Sequence, residues 1–357
     1  MKMPPIYFYI PQDYWPAGEL PESADTYWQW QCSMESSYNW SLYNWTLQTY
    51  LRLKDDGFPC ELVATIPDEG IVVAHRYSLP DELQPGSKLL IVCLQADKGR
   101  HTYAQLHVVQ NPHDDIFSKS ATLWQSYCIP LWTQPGLIPR SSERGDRFEN
   151  IAYLGREREL APELKEPSWQ EHLEALGLRW HILPNRSDWN DYSTVDAVLA
   201  VRSFGRQSSY NWKPPSKLLN AWQAGVPAIL GNESAFRNAR KSELDYLEVT
   251  SVDEAIAALK RLRDDRELRQ AMIENGRIRA ADTTPASLTA RWRNFLTDIV
   301  VPAYHHWCMS SDWTRQLFLT RRALDIKTQG MRSQIRRVRG QITSPVKFLI
   351  SQIKKSI

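Results

Sequence analysis

Short apolar runs recur along the chain and set its first outline. Ile6–Ile10, Cys60–Ile66, Ile71–Ala74, Lys88–Leu94 and Gln105–Val109 are such runs, each followed by turn-forming or polar residues. Strands bounded by short loops and helices in this way predict a parallel α/β sheet. Residues 41–55 place Leu42, Trp45, Leu47 and Leu51 in a helical stretch that Gly57 ends. From Pro11 to about Ser37 the pattern predicts a long loop holding Tyr14, Trp15, Tyr27, Trp28 and Trp30, with Gly18 as a flexible point. The strand that begins at Ser126 leads into a segment broken by Pro130, Pro135, Gly136 and Pro139, which reads as a domain boundary.

A second set of runs follows. Strands are expected over Asn150–Leu154, Leu178–Leu183, Val195–Val201, Val226–Leu230 and Leu247–Val249, with a helix over Trp169–Leu176. Ser251 and Glu254 form a capping box that opens a further helix. Helices over Arg266–Ala281 and Ala286–Ile299 come next, the last carrying Leu288, Trp292, Phe295 and Ile299 on one face. The expected division is 1–147, 148–302 and 303–357, the third being a crossing segment and a basic tail.

Composition sharpens this picture. A length of 357 residues suits two α/β domains at roughly 150 residues each. No apolar run reaches the length of a membrane span. The start is too short and too broken by proline to read as a signal peptide. The 5 cysteines are scattered and odd in number, which fits free thiols in a reducing cytoplasm. The net charge of +2 hides an asymmetry: residues 314–357 carry +10 and the rest −8. In the tail, Ser344-Pro345 is a helix-start pair, and Val346, Leu349, Ile350, Ile353 and Ile357 share one helical face. A basic amphipathic helix of this kind suits an anionic membrane surface. No nucleic-acid motif is present and an acidic body opposes that partner, while a packed or disordered tail is the plainer alternative.

The chemistry is concentrated in Lys213–Phe236. Ser216 is expected as the N-cap of a helix that buries Leu218, Leu219 and Trp222 and ends at Gly225. Amides at the start of that helix, with Lys213 and Lys217 beside them, make a diphosphate site. The stretch KPPSKLLNAWQAGVPAI resembles the donor-site helix of GT-B glycosyltransferases, close to the retaining sucrose- and glycogen-synthase group. Lys213, Ala221, Gly225 and Pro227 match that pattern. The two acidic positions of the pattern hold Asn220, where the ribose ligand is expected, and Trp212.

The resemblance implies an α/β fold of two Rossmann-like domains facing across a cleft. It implies a donor site of Gly155, Arg156, Arg202, Lys213, Ser216, Lys217, Asn220, Glu233 and Ser234. Glu233 either replaces the missing ribose ligand or merely favours a helix dipole. On the acceptor side, Asp97, His101 and Asn111 follow strand ends, as does His113, and Trp15 lies in the loop after the first strand. The plainer reading of each is a loop, turn-capping or packing residue, and of His107 a core histidine. Lys213, Arg156 and Asp97 are the catalytic candidates, the cations for the leaving diphosphate and Asp97 as a base if the reaction inverts. No Asp-x-Asp motif occurs, so no metal or other cofactor is expected beyond the nucleotide-sugar substrate. The expectation is a cytoplasmic glycosyltransferase acting on a glycan or lipid-linked acceptor in exopolysaccharide or cell-envelope synthesis. A nucleotide-sugar epimerase and a non-catalytic binder of the same fold are the alternatives.

Overall fold

A computed structural model describes residues 3–15, 19–34, 40–112, 123–205 and 210–331. Domain one is built on β1 (Ile6–Tyr9), β2 (Glu61–Val63), β3 (Gly70–His75), β4 (Leu89–Leu94), β5 (Leu106–Val109) and β6 (Gln125–Cys128). They form one parallel sheet in the order β2-β1-β3-β4-β5-β6. Every residue of β3, β4 and β5 is buried, which is why these runs are apolar throughout instead of alternating. Gly70 opens β3 with φ +106°, and a Cβ there would lie 2.9 Å from the Pro5 carbonyl oxygen, so the β1–β3 approach requires glycine.

Domain two repeats the plan with β7 (Asn150–Leu154), β8 (Arg179–Leu183), β9 (Ala197–Ala200), β10 (Ala228–Gly231) and β11 (Leu247–Val249). Its order, β11-β10-β9-β7-β8, is again parallel throughout. In both sheets the first strand sits between the second and the third. Each therefore has a switch point where successive connections leave to opposite faces, and ligands of such sheets bind at the carboxyl ends of the strands there. The expected architecture of two Rossmann-like α/β domains is the one found.

Three elements depart from expectation. The helix Tyr27–Ser33 interrupts the long loop after β1, with Tyr27 fully buried against Ile10, Leu42 and Tyr43. Aromatic residues there fold a helix onto the core. The return to domain one also comes earlier than residue 302. The helix Pro285–Asn294 already places Leu288 and Trp292 in one cluster with Ile6, Phe8, Val73 and Val92, and Phe295, Leu296 and Val300 join them. Residues 312–331, expected within the basic tail, form a helix whose Leu319 and Arg322 are buried against domain one. Residues 332–357, including the amphipathic stretch from Ser344, lie outside the described residues. Among the described residues no helix is long and apolar enough to cross a membrane.

The connecting segment belongs to domain two from Ile138 onward. The Ile138 amide donates to the Asn190 carbonyl at 2.8 Å. Buried Asp196 then gathers Arg140, Arg144 and the amides of Glu149 and Asn150, all within 3.0 Å. Four donors hold this carboxyl below its ordinary range against the upward push of burial.

Candidate functional site between the two sheets

The switch point of domain two lies between β7 and β9. The first of these strands runs out into Gly155-Arg156 and the second into Val201-Arg202, while neighbouring β10 runs out into Asn232-Glu233. Lys213 approaches from the loop before the helix Ser216–Ala224. These side chains form one chain of ion pairs. Lys213 Nζ lies 2.7 Å from Asp97 Oδ2 and 3.7 Å from Glu159 Oε1. Arg202 lies 3.3 Å from Glu159 Oε2 and 3.2 Å from Glu233 Oε2. The run Asp97–Lys213–Glu159–Arg202–Glu233 thus crosses from domain one to domain two.

Loops after β4 and β5 close the cleft over this run. Gln110 Nε2 donates to Asp97 Oδ1 at 2.6 Å and to the Trp212 carbonyl at 2.7 Å. Asn111 Nδ2 donates to Ser234 Oγ at 3.0 Å. Asp97 and Asn111, expected on the acceptor side, therefore meet the expected donor motif directly. Lys213, Arg202, Glu233, Ser234, Asp97 and Asn111 are brought together by strand ends from both sheets.

Lys217 is placed differently from Lys213, although only four positions separate them. Its ammonium donates to the Leu154 carbonyl at the end of β7, with the Tyr153 and Trp189 rings 5.0 and 5.5 Å away. A Cβ on residue 155 would fall 2.6 Å from that nitrogen. Gly155 is bare because Lys217 and Tyr153 fill the space, a different reason from close approach of a ligand. Burial and then Arg202 pull the Lys217 amine down to about 7, against the opposing pull of Glu159 and Glu233. Burial raises the Glu233 carboxyl, and Arg202 offsets this only in part. For Glu159 burial also acts upward, but Lys213 and Arg202 hold it below its ordinary range.

Other expected site residues have other duties. Ser216 is the first helical residue rather than the cap. Pro215 precedes it, makes no side-chain cap, and accepts the Leu218 and Leu219 amides through its carbonyl. Gly225 ends the helix in the left-handed conformation, φ +69°, as expected. Asn220 is buried, and its Oδ1 accepts the Gln134 amide at 3.0 Å, which ties the helix to the linker instead of leaving that oxygen open to a ribose. His101 is buried within its own loop. Nδ1 accepts the Tyr103 and Ala104 amides and Nε2 lies 2.8 Å from the Pro80 carbonyl, so the ring staples the loop and does not face the cleft. Burial lowers its pKa and keeps it neutral. Trp15 packs on the Ile10–Tyr27–Tyr43 cluster. Arg156 is exposed at the end of β7, and among the described residues no ion pair involves it.

Glu159 and Gln110 are central here and sequence reading passed over both. An acid in a charged run and a glutamine after a strand carry no local mark. Their role follows from the contacts that the two sheets make across the cleft. Trp212, at one of the two missing acidic positions, is exposed and stands edge-on to Tyr210 at 6.0 Å. Arg202 in turn lies 5.6 Å from the Tyr210 ring. Among the described residues, no group of three or more His, Cys, Asp or Glu is arranged to hold a metal ion.

No protein-family model matches the chain, and no curated protein sequence does. Among solved structures, it is similar to sucrose-phosphate synthase from Thermosynechococcus elongatus, at 14% identity and a TM-score of 0.44 over 72% of this chain and 77% of that one. It is similar to the pneumococcal O-GlcNAc transferase GtfA at 11% identity and 0.45, over 72% of this chain and 60% of that one. It is also similar to HepE of Anabaena in complex with UDP and glucose, at 10% identity and a TM-score of 0.47, over 83% of this chain and all of that one.

Proposed function

We propose that this chain is a glycosyltransferase that takes a sugar from a nucleoside-diphosphate donor. The observation that carries the reading is the position of Lys213 and Arg202 at the domain-two switch point, beside the start of the helix Ser216–Ala224. Both cations are held by carboxylates. A diphosphate entering the cleft would take over Lys213 from Asp97 and Arg202 from Glu159. Such an exchange draws on cations already gathered at the strand ends, with the diphosphate taking the place of the carboxylates at Lys213 and Arg202. Negative charge growing on the departing diphosphate is then met by Lys213, Arg202, exposed Arg156 and the Ser216 and Lys217 amides at the helix start, in a cleft from which closure removes water.

Asn111 on Ser234 and Gln110 on the Trp212 carbonyl supply that closure. Asp97, once released, stands at the domain-one rim where an acceptor hydroxyl would arrive. The sequence resemblance favours retention and a hexosyl donor, and the sequence holds no Asp-x-Asp motif for a metal. The acceptor in this reading is a glycan or lipid-linked glycan of exopolysaccharide or envelope synthesis. The enzyme works in the cytoplasm, with residues 314–357 at an anionic membrane face.

A non-catalytic binder is the second reading. It is favoured by Asn220, whose oxygen is committed to the linker, and by Trp212 in place of an acid. Release of nucleoside diphosphate from a panel of nucleotide-sugars, with and without glycan acceptors, separates the two. Acceptor-dependent release that is lost in Lys213→Ala supports the transferase. Tight nucleotide binding with no release for any donor–acceptor pair supports the binder.

A further inference from the structure

The helix over residues 312–331 has two unlike faces. One is closed onto domain one. Arg322 is fully buried, its guanidinium 4.3 Å from the Trp124 ring and 4.4 Å from the Phe318 ring. It donates to the carbonyl oxygens of Ala104, Gln105 and Leu123. Asp325 accepts the Trp124 indole N–H at 2.8 Å, and Arg100 lies over the same ring at 4.6 Å. This face is permanently engaged.

The opposite face is open and mixed, with apolar side chains standing among exposed Thr320, Arg321 and Lys327. Trp313, Leu317, Leu324 and Met331 fall on one side of the helix, since steps of four and seven residues return to the same side. Trp313 is 73% exposed, Leu324 58% and Met331 57%, and Met309 just before the helix is 76% exposed. Exposed Arg321 and Lys327 border the stripe. Beyond Met331 the sequence adds Arg332, Arg336, Arg337, Arg339, Lys347, Lys354 and Lys355 and no acid.

Charge decides what covers this stripe. A second copy laid against it would set Arg321 and Lys327 against cations of its own kind. The chain's own last residues are equally basic. Nucleic acid would meet the cations but leave the indole and the aliphatic side chains in water. An anionic bilayer meets both, with phosphate headgroups for the cations and acyl chains for the apolar residues.

We infer that this helix face rests on an anionic phospholipid bilayer, with Trp313, Leu324 and Met331 entering the headgroup boundary. The inference deepens the membrane-surface reading given above and rests on it, though not on the donor site. Through Arg322 and Trp124 the contact would hold domain one, and the loop that carries Asp97, against the membrane.

The test uses the full chain and sedimentation with vesicles of equimolar phosphatidylglycerol and phosphatidylcholine, against phosphatidylcholine alone. The variant is Trp313→Ser/Leu324→Ser/Met331→Ser, whose three sites are exposed, with thermal melting as the check on folding. Wild type should bind the anionic vesicles only, and the variant should bind them about tenfold or more weakly with unchanged melting. Equal binding by the variant overturns the helix-face inference and leaves the membrane reading to the remaining basic residues. If wild type ignores anionic vesicles, both fall. A concentration-dependent dimer that the variant abolishes overturns the inference in favour of a second copy.

Discussion

The two sheets share one winding order, and their switch points are filled in opposite ways. In domain two the ends of β7, β9 and β10 present Arg156, Arg202 and Glu233, with Lys213 beside them. In domain one the end of β3 presents His75, fully buried, its Nε2 3.1 Å from Ser41 Oγ and its Nδ1 accepting the Tyr77 amide. Burial, with Lys98 and Arg76 nearby, lowers His75 to about 3, so this ring is neutral and supplies no charge. The same backbone plan therefore gives one set of strand ends that carries a chain of ion pairs and one that carries a buried neutral histidine. Topology fixes where a ligand can sit, and the side chains at the strand ends decide what it can be.

Removing the charges should break this contrast on one side only. Lys213→Ala should weaken nucleoside-diphosphate binding by about 100-fold, because a charge-assisted contact in a closed cleft is lost. Ser41→Ala, the matching cut at the other switch point, should change it less than about twofold, being a neutral pair remote from the diphosphate. Calorimetric titration of both variants checks the pair of outcomes. Arg202→Gln should cost about 30-fold, and less than Lys213→Ala, since the amide still hydrogen-bonds a phosphate oxygen while buried Glu233 loses its cation. A smaller effect of opposite sign is expected for Asp97→Asn. The carboxylate competes with the diphosphate for Lys213, so its removal should tighten binding about threefold. It should also loosen the closed form, which small-angle scattering of the ligand-free protein would register as a larger radius.

A separate effect is expected with pH. The Lys217 amine is held near 7 in the folded chain, below its ordinary value of 10.5. Between these values the unfolded chain binds more protons, so this residue makes stability rise with pH across that window. The penalty for charging it in place is complete below about 7. Lys217→Met should remove that slope from denaturant titrations run between pH 7 and 10.5 while leaving other titrations in place.

Much of this was legible in the sequence where the cause is local. Apolar runs marked the strands of both sheets, Gly225 marked its helix end, and Ser251 caps its helix by accepting the Glu254 amide at 3.1 Å. The helix Tyr27–Ser33 was hidden because its N-cap, Thr26, makes no side-chain cap and its aromatic residues resemble those of a packed loop. At the site, Lys213 and Arg202 followed from motif and strand end. The duties of Asn220, His101 and Gly155 did not, because each depends on a partner far along the chain or folded back in its loop: Gln134, Pro80 and Lys217. Glu159 and Gln110 became visible only when the two sheets were set face to face.

The central claim is that the domain-two switch point binds a nucleoside diphosphate through Lys213. Its most direct test is a thermal-shift and calorimetric series with UDP, GDP, ADP and dTDP on wild type and Lys213→Ala. A ligand at 100 times its dissociation constant should add about 2.7 kcal/mol of stability to wild type. The account predicts this for at least one nucleotide and its loss in the variant. A folded wild type that none of the four stabilises, or a variant that binds as well as wild type, would contradict it.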